Sequence, residues 1–159
     1  MPRRRQYWLM KSEPDEFSID DLRRSKNGTA RWDGVRNYQA RNFLRDDFEA
    51  GDAVLFYHSS CDSPGIAGEA VVVRKGYPDP SAFDPDSSYY DPKSDPTRPV
   101  WYSVDVKFVR ACRNIITRPA LAAMPELKTM LVLKRGIRLS VQPVTESEWR
   151  VILNHAEWV

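Results

Sequence analysis

Two stretches of this 159-residue chain carry side chains that an exposed loop does not need for its own stability. In Trp32-Asp33-Gly34-Val35-Arg36-Asn37-Tyr38-Gln39-Ala40-Arg41, a loop gathers Trp, Arg, Asn, Tyr and Gln ahead of a helix. In Tyr7-Trp8-Leu9-Met10-Lys11-Ser12-Glu13-Pro14, a short aromatic strand delivers polar groups at its end. Aromatic faces stack on a nucleobase, amides and backbone groups pair with its edge, and cations hold the flanking phosphates. The set predicts a pocket for an extruded base. On composition alone, Trp32 fits a core position equally well.

Other chemistries find less support. The chain has no Gly-rich phosphate loop and no G-x-S-x-G, H-E-x-x-H or C-x-x-C motif. His58 and Cys61 lie three residues apart at a strand end with no orienting group, which favours a structural pair over a nucleophile and its base. His58, Cys61, Cys112 and His155 match no common zinc spacing. Asp79, Asp84, Asp86, Asp91 and Asp95 alternate with prolines, as turns require, and lack the regular ligand spacing of a calcium loop. Neither a metal nor a cofactor is expected.

The elements that must position the two stretches follow from periodicity. Tyr7–Met10 reads as a strand. Ser18, with Asp21 three residues on, caps a short helix. Residues 31–36 read as a loop, and Asn37 caps a helix from about Tyr38 to Leu44. Ala53–His58 is a continuous apolar run, as a buried strand requires, and Ile66–Arg74 is another strand. The Pro-, Asp- and Ser-rich segment 76–99 is longer than most loops in compact domains, which marks it as functional or mobile. Val100–Phe108 alternates, with Val100, Tyr102, Val104, Val106 and Phe108 on one face and Trp101, Ser103, Asp105 and Lys107 on the other. Thr117 starts a short helix, and Met124–Lys134 reads as a second helical stretch. Ile137–Val144 alternates, with Leu139 and Val141 opposite Arg138, Ser140 and Gln142. Thr145 and Glu148 cap a final helix with Trp149, Ile152, Leu153 and Ala156 on one face.

About five strands and four or five short helices, without βαβ alternation, predict an α+β fold. The form expected is a small mixed barrel with one core and helices packed around it. Residues 1–6 form a basic tail and 7–159 one domain. Lys and Arg outnumber Asp and Glu by eleven to nine in residues 1–50 and by nine to five in 101–159, but trail by four to eight in 51–100. This argues against a uniformly cationic sliding surface and allows a local basic rim. No apolar stretch approaches a membrane span, no apolar signal core follows the basic start, and two cysteines suit a reducing compartment. The expected location is the cytoplasm of a bacterium or the nucleus of a eukaryote, as a monomer.

The chain resembles the EVE domain family, which includes the thymocyte nuclear protein group. The resemblance runs in order through the two stretches above, then Gly51–Ser59, Gly65–Ala70, Tyr89-Tyr90-Asp91-Pro92-Lys93-Ser94 and Arg138–Val144. The short basic start looks more like a stand-alone bacterial member. The resemblance implies a PUA-like barrel related to YTH domains and a reader of modified bases, chiefly modified cytosine in DNA, with RNA open. It places Trp32, Val35, Arg36 and Asn37 at the pocket and Lys11, Ser12 and Glu13 at its mouth. It puts Tyr57, His58 and Ser59 on a wall, Ser140 and Gln142 on the base edge, and Tyr90 and Asp91 in a flap. The alternative is an enzyme: relatives of the ASCH type include small amidohydrolases acting on modified nucleosides, and Lys11 with Glu13 or His58 would mimic such a site.

Overall fold

The computed structural model describes residues 4–159. The chain forms a six-stranded mixed sheet with short helices against it. The strands are β1 (Tyr7–Ser12), β2 (Thr29–Trp32), β3 (Ala53–His58), β4 (Gly65–Pro78), β5 (Tyr102–Thr117) and β6 (Val141–Val144). The order is β2-β5-β4-β3-β1-β6, with β1 and β3 parallel and the other pairs antiparallel. The helices are α1 (Ile19–Arg24), α2 (Tyr38–Asn42), α3 (Arg118–Ala122) and α4 (Glu146–His155). Of the basic tail, residues 1–3 lie outside the described residues; Arg4 pairs with Glu146, and the Gln6 amide donates to Asp52.

The central strands explain their own sequences. β3 and the first four residues of β1 are covered on both faces, so they read as apolar runs. Side chains alternate across the sheet, and each face carries its own apolar cluster. Trp8, Met10, Val54 and Phe56 belong to one; Leu9, Leu55 and Tyr57 belong to the other. The single expected core is therefore two clusters that share β1 and β3. The first holds Trp32 from β2 and Val141 from β6, the two ends of the strand order, so the sheet curls around it as a barrel does. β2 and β6 do not pair with each other among the described residues. The second lies under α3 and α4, where Trp149 packs against Tyr7 at 5.1 Å.

Several expected elements differ. Thr29–Trp32, the last two residues of which were expected in a loop, is a strand, because Trp32 pairs with Val104 on β5. Four residues are too few for alternation to declare themselves. Val104 and Val106 are fully buried, but Val100 and Phe108 are only half-buried, and Trp101 and Ser103 on the opposite face are buried as well. Segment 79–101 folds back over that face: the Asp79 amide donates to the Trp101 carbonyl, and Trp101 Nε1 donates to Asp91. The stretch 124–134 forms two 3₁₀ turns, Pro125–Leu127 and Leu131–Leu133. Pro125 keeps Met124 extended, which stops a continuous helix. Strand pairing in the last alternating stretch begins only at Val141.

Candidate nucleic-acid pocket

The open end of the barrel holds a cavity of about 600 Å³, within the ~300–1,000 Å³ usual for small-molecule sites. Its floor is Trp32, the last residue of β2. That ring is 8% exposed and stands edge-on to Phe56, with centroids 5.4 Å apart and planes at 83°. Trp32 is thus both a core residue and a pocket wall. Val35 and Phe17 add apolar surface. Lys11, Ser12 and Glu13 reach the cavity from the end of β1, where Ser12 Oγ donates to the Phe17 carbonyl at 2.6 Å. Ser140 closes the rim beside them, its carbonyl accepting from the Lys11 amide at 2.8 Å.

The fourth wall is Tyr89, held in place by a buried ionic relay. Gly34 has φ +78°, a left-handed conformation, and a Cβ there would lie 2.6 Å from the Tyr89 ring. The glycine lets the loop turn and the ring close in. The Gly34 amide donates to Asp79 Oδ2 at 3.0 Å, and Arg36 Nη1 donates to the same oxygen at 2.9 Å. Arg36 Nη2 donates to the Tyr89 carbonyl at 2.6 Å, and the guanidinium lies over both Trp101 and Tyr89. Burial opposes ionisation of Asp79. The donors Ser81 Oγ, Gly34 N, Arg36 and Ser81 N outweigh it and hold the carboxyl below its ordinary range. Arg36, which sequence reasoning aimed at a phosphate, is committed to Asp79 and Tyr89.

Charge around the cavity is uneven. Burial raises the Tyr89 phenol pKa, and the nearby carboxylates of Glu16, Asp33 and Glu13 raise it further. The Lys11 ammonium is pushed down by burial and then by the charge of Arg118.

Seven of the fourteen residues named from sequence meet at this cavity: Lys11, Ser12, Glu13, Trp32, Val35, Arg36 and Ser140. The other seven do not line it. Asn37 caps α2, its Oδ1 accepting from the Ala40 amide. Tyr57 sits in the second cluster, and burial raises its phenol pKa. His58 Nε2 accepts from the Ile19 amide at 3.1 Å, and the Ser59 amide extends the β1–β3 ladder to the Ser12 carbonyl. Tyr90 is exposed and does not line the cavity, whereas its neighbour Tyr89 does. Asp91 accepts from Trp101 Nε1 and the Lys93 amide. Gln142 is buried and donates to the Leu139 carbonyl. Sequence reasoning missed Glu16, Phe17, Arg31, Asp33, Gly34 and Tyr89 as lining residues. A glycine after Trp-Asp was the one local sign of a tight approach.

A curled mixed sheet with an aromatic-floored cavity at its open end defines a PUA-like α+β domain. The EVE domain model matches residues 6–155, and the chain belongs to that family. It is 42% identical to human thymocyte nuclear protein 1 over 168 residues, covering 95% of this chain and 74% of that protein. Among solved structures, a Pseudomonas syringae protein is 52% identical, with TM-score 0.89, over 93% of this chain and 97% of its own. A structure of the human THYN1 protein in complex with DNA containing 5-methylcytosine is 42% identical, with TM-score 0.87, over 94% of this chain and 96% of its own. The ASCH protein of Zymomonas mobilis, at 9% identity and TM-score 0.58, shares the fold alone.

Proposed function

We propose that this chain binds nucleic acid by housing one extruded, modified cytosine in the Trp32–Tyr89 cavity. The observation that carries the reading is the make-up of that cavity. Two aromatic rings, Trp32 and Tyr89, supply stacking surface. The carboxylates of Glu13, Glu16 and Asp33 supply acceptors, which suit the N4 amine on the cytosine edge. Val35 and Phe17 offer an apolar corner for a 5-methyl group. The complex of the human relative with 5-methylcytosine DNA supports the same ligand class. Residues 7–159 act as one domain behind the tail 1–6, as a monomer, in the bacterial cytoplasm or a eukaryotic nucleus. DNA is the preferred strand over RNA.

Binding is favoured over amidohydrolase chemistry on geometry. His58, a candidate base, has its Nε2 lone pair engaged by the Ile19 amide. The test is a titration of short oligonucleotides that differ only in one 5-methyl group, followed by fluorescence anisotropy, together with overnight incubation with modified nucleosides. The reading predicts tighter binding of the methylated strand and unchanged nucleosides. Equal affinities, or a hydrolysed product, contradict it.

A further inference from the structure

Charges of both signs meet at the mouth of the cavity. Glu13, Glu16 and Asp33 stand on the side of Tyr89. Ser140 lies on the rim beside Lys11, its carbonyl accepting from the Lys11 amide. Arg138 precedes Ser140 by two residues and is exposed, as are Lys134 and Arg135. Arg118 fastens this segment from the other end. Its Nε donates to the Val132 carbonyl at 3.4 Å and its Nη2 to the Leu133 carbonyl at 3.1 Å, just before Lys134. Arg118 is close enough for its charge to oppose that of the Lys11 ammonium.

None of these five cations enters an ion pair among the described residues. Elsewhere on the surface Arg4, Arg23, Arg45, Arg110 and Arg150 each meet a carboxylate, and at the cavity Arg31 meets Asp33. Like charges gathered without a counter-charge repel, and an anion laid among them relieves that repulsion.

We infer that Lys11, Arg118, Lys134, Arg135 and Arg138 form a track for the phosphates of the DNA strand whose base enters the cavity. The strand approaches over the 134–138 segment and passes the Lys11–Arg118 pair. Like charge keeps it off Glu13 and Glu16. Phosphate contact is separate from base recognition. The inference rests on the base-pocket reading.

The test compares Arg135→Gln/Arg138→Gln with a control of equal charge, Lys75→Gln/Lys107→Gln. The control lysines are exposed on β4 and β5 and do not line the cavity. Anisotropy titrations use a single-stranded oligonucleotide with one 5-methylcytosine across a salt series. NMR shift titrations use free 5-methyl-2′-deoxycytidine, which has no phosphate. Each lost phosphate contact lowers the salt slope by about 0.7 on a single strand, so the rim variant should lose about 1.4 and bind roughly tenfold more weakly at low salt. Its preference for methylated over unmethylated strand and its nucleoside binding should stay unchanged, and the control should keep its slope. If the nucleoside binds but the rim variant keeps its slope, or the control loses as much, the phosphate track is wrong and the pocket stands. If wild-type protein binds neither nucleoside nor oligonucleotide, both fall.

Discussion

Arg36 and Asp79 meet at 2.9 Å, with the Asp79 side chain fully buried and the Arg36 side chain 25% exposed. The pair joins the loop after β2 to the loop after β4 and carries the Tyr89 carbonyl on its free nitrogen. The arginine that looks available for phosphate is a strut for the pocket wall.

Arg36→Ala leaves the Asp79 carboxylate buried without its cation. Breaking such a pair costs about 3–5 kcal/mol, and the partial exposure of Arg36 puts this case at or below the lower end. Urea unfolding measures the loss. Binding of a methylated strand should weaken by a factor that does not change with salt, because the lost contact is internal. A salt-dependent loss would return Arg36 to the phosphate.

Gly34→Ala adds a Cβ at 2.6 Å from the Tyr89 ring and forces alanine to φ +78°. The backbone term alone is about 1–2 kcal/mol. The fold should survive, since the strain sits at the cavity rim. Tyr89 should move and the affinity for methylcytosine should drop at least tenfold. Circular dichroism with an anisotropy titration checks both halves.

His58 gives the fold a pH dependence near neutrality. Burial lowers its pKa below the usual 6.5, against a weaker opposite pull from Asp20 and Asp21. The neutral ring is the one that accepts from the Ile19 amide. Since the folded pKa lies below the unfolded one, the unfolded chain binds the proton first as pH falls. The contribution is complete above about pH 6.5 and is lost as pH falls through the folded pKa. Denaturant midpoints at pH 7.5 and 5.5 should differ more in wild-type protein than in His58→Gln. Equal differences would remove His58 from the account.

What could be read from the sequence, and what could not, divides on physical grounds. Both capping boxes, at Ser18 with Asp21 and Thr145 with Glu148, form as their spacing requires, because a cap is decided within four residues. So does the Asn37 cap, although the same side chain was expected in the pocket. Tyr57 was misplaced because β3 is buried on both faces, and an unbroken apolar run does not say which side chains face which cluster. Gln142 follows a polar alternation that its strand does not use for solvent, since it serves the Leu139 carbonyl. Asp79 does the turn chemistry its spacing suggests, its Oδ1 accepting from the Ser81 amide, but it also does more. Its partners Gly34 and Arg36 lie more than forty residues away, and no local pattern announces them. Tyr89 and Tyr90 are adjacent in a loop with no period, so only the folded segment selects Tyr89.

Trp32 gives the most direct test of the base-pocket account, because one ring serves as both core and stacking surface. Trp32→Ala removes a buried side chain at a stability cost of about 3–5 kcal/mol, so Trp32→Leu is included to keep a folded protein. The measurement is calorimetric titration with a single-stranded DNA carrying one 5-methylcytosine and with its unmethylated twin. Base stacking contributes about 1–3 kcal/mol, so Trp32→Leu should bind the methylated strand about ten- to hundredfold more weakly. Wild-type protein should prefer the methyl group moderately, by about 1–3 kcal/mol. Unchanged affinity in a folded Trp32→Leu protein, or equal wild-type affinity for the two strands, would contradict the assignment of this cavity to a modified base.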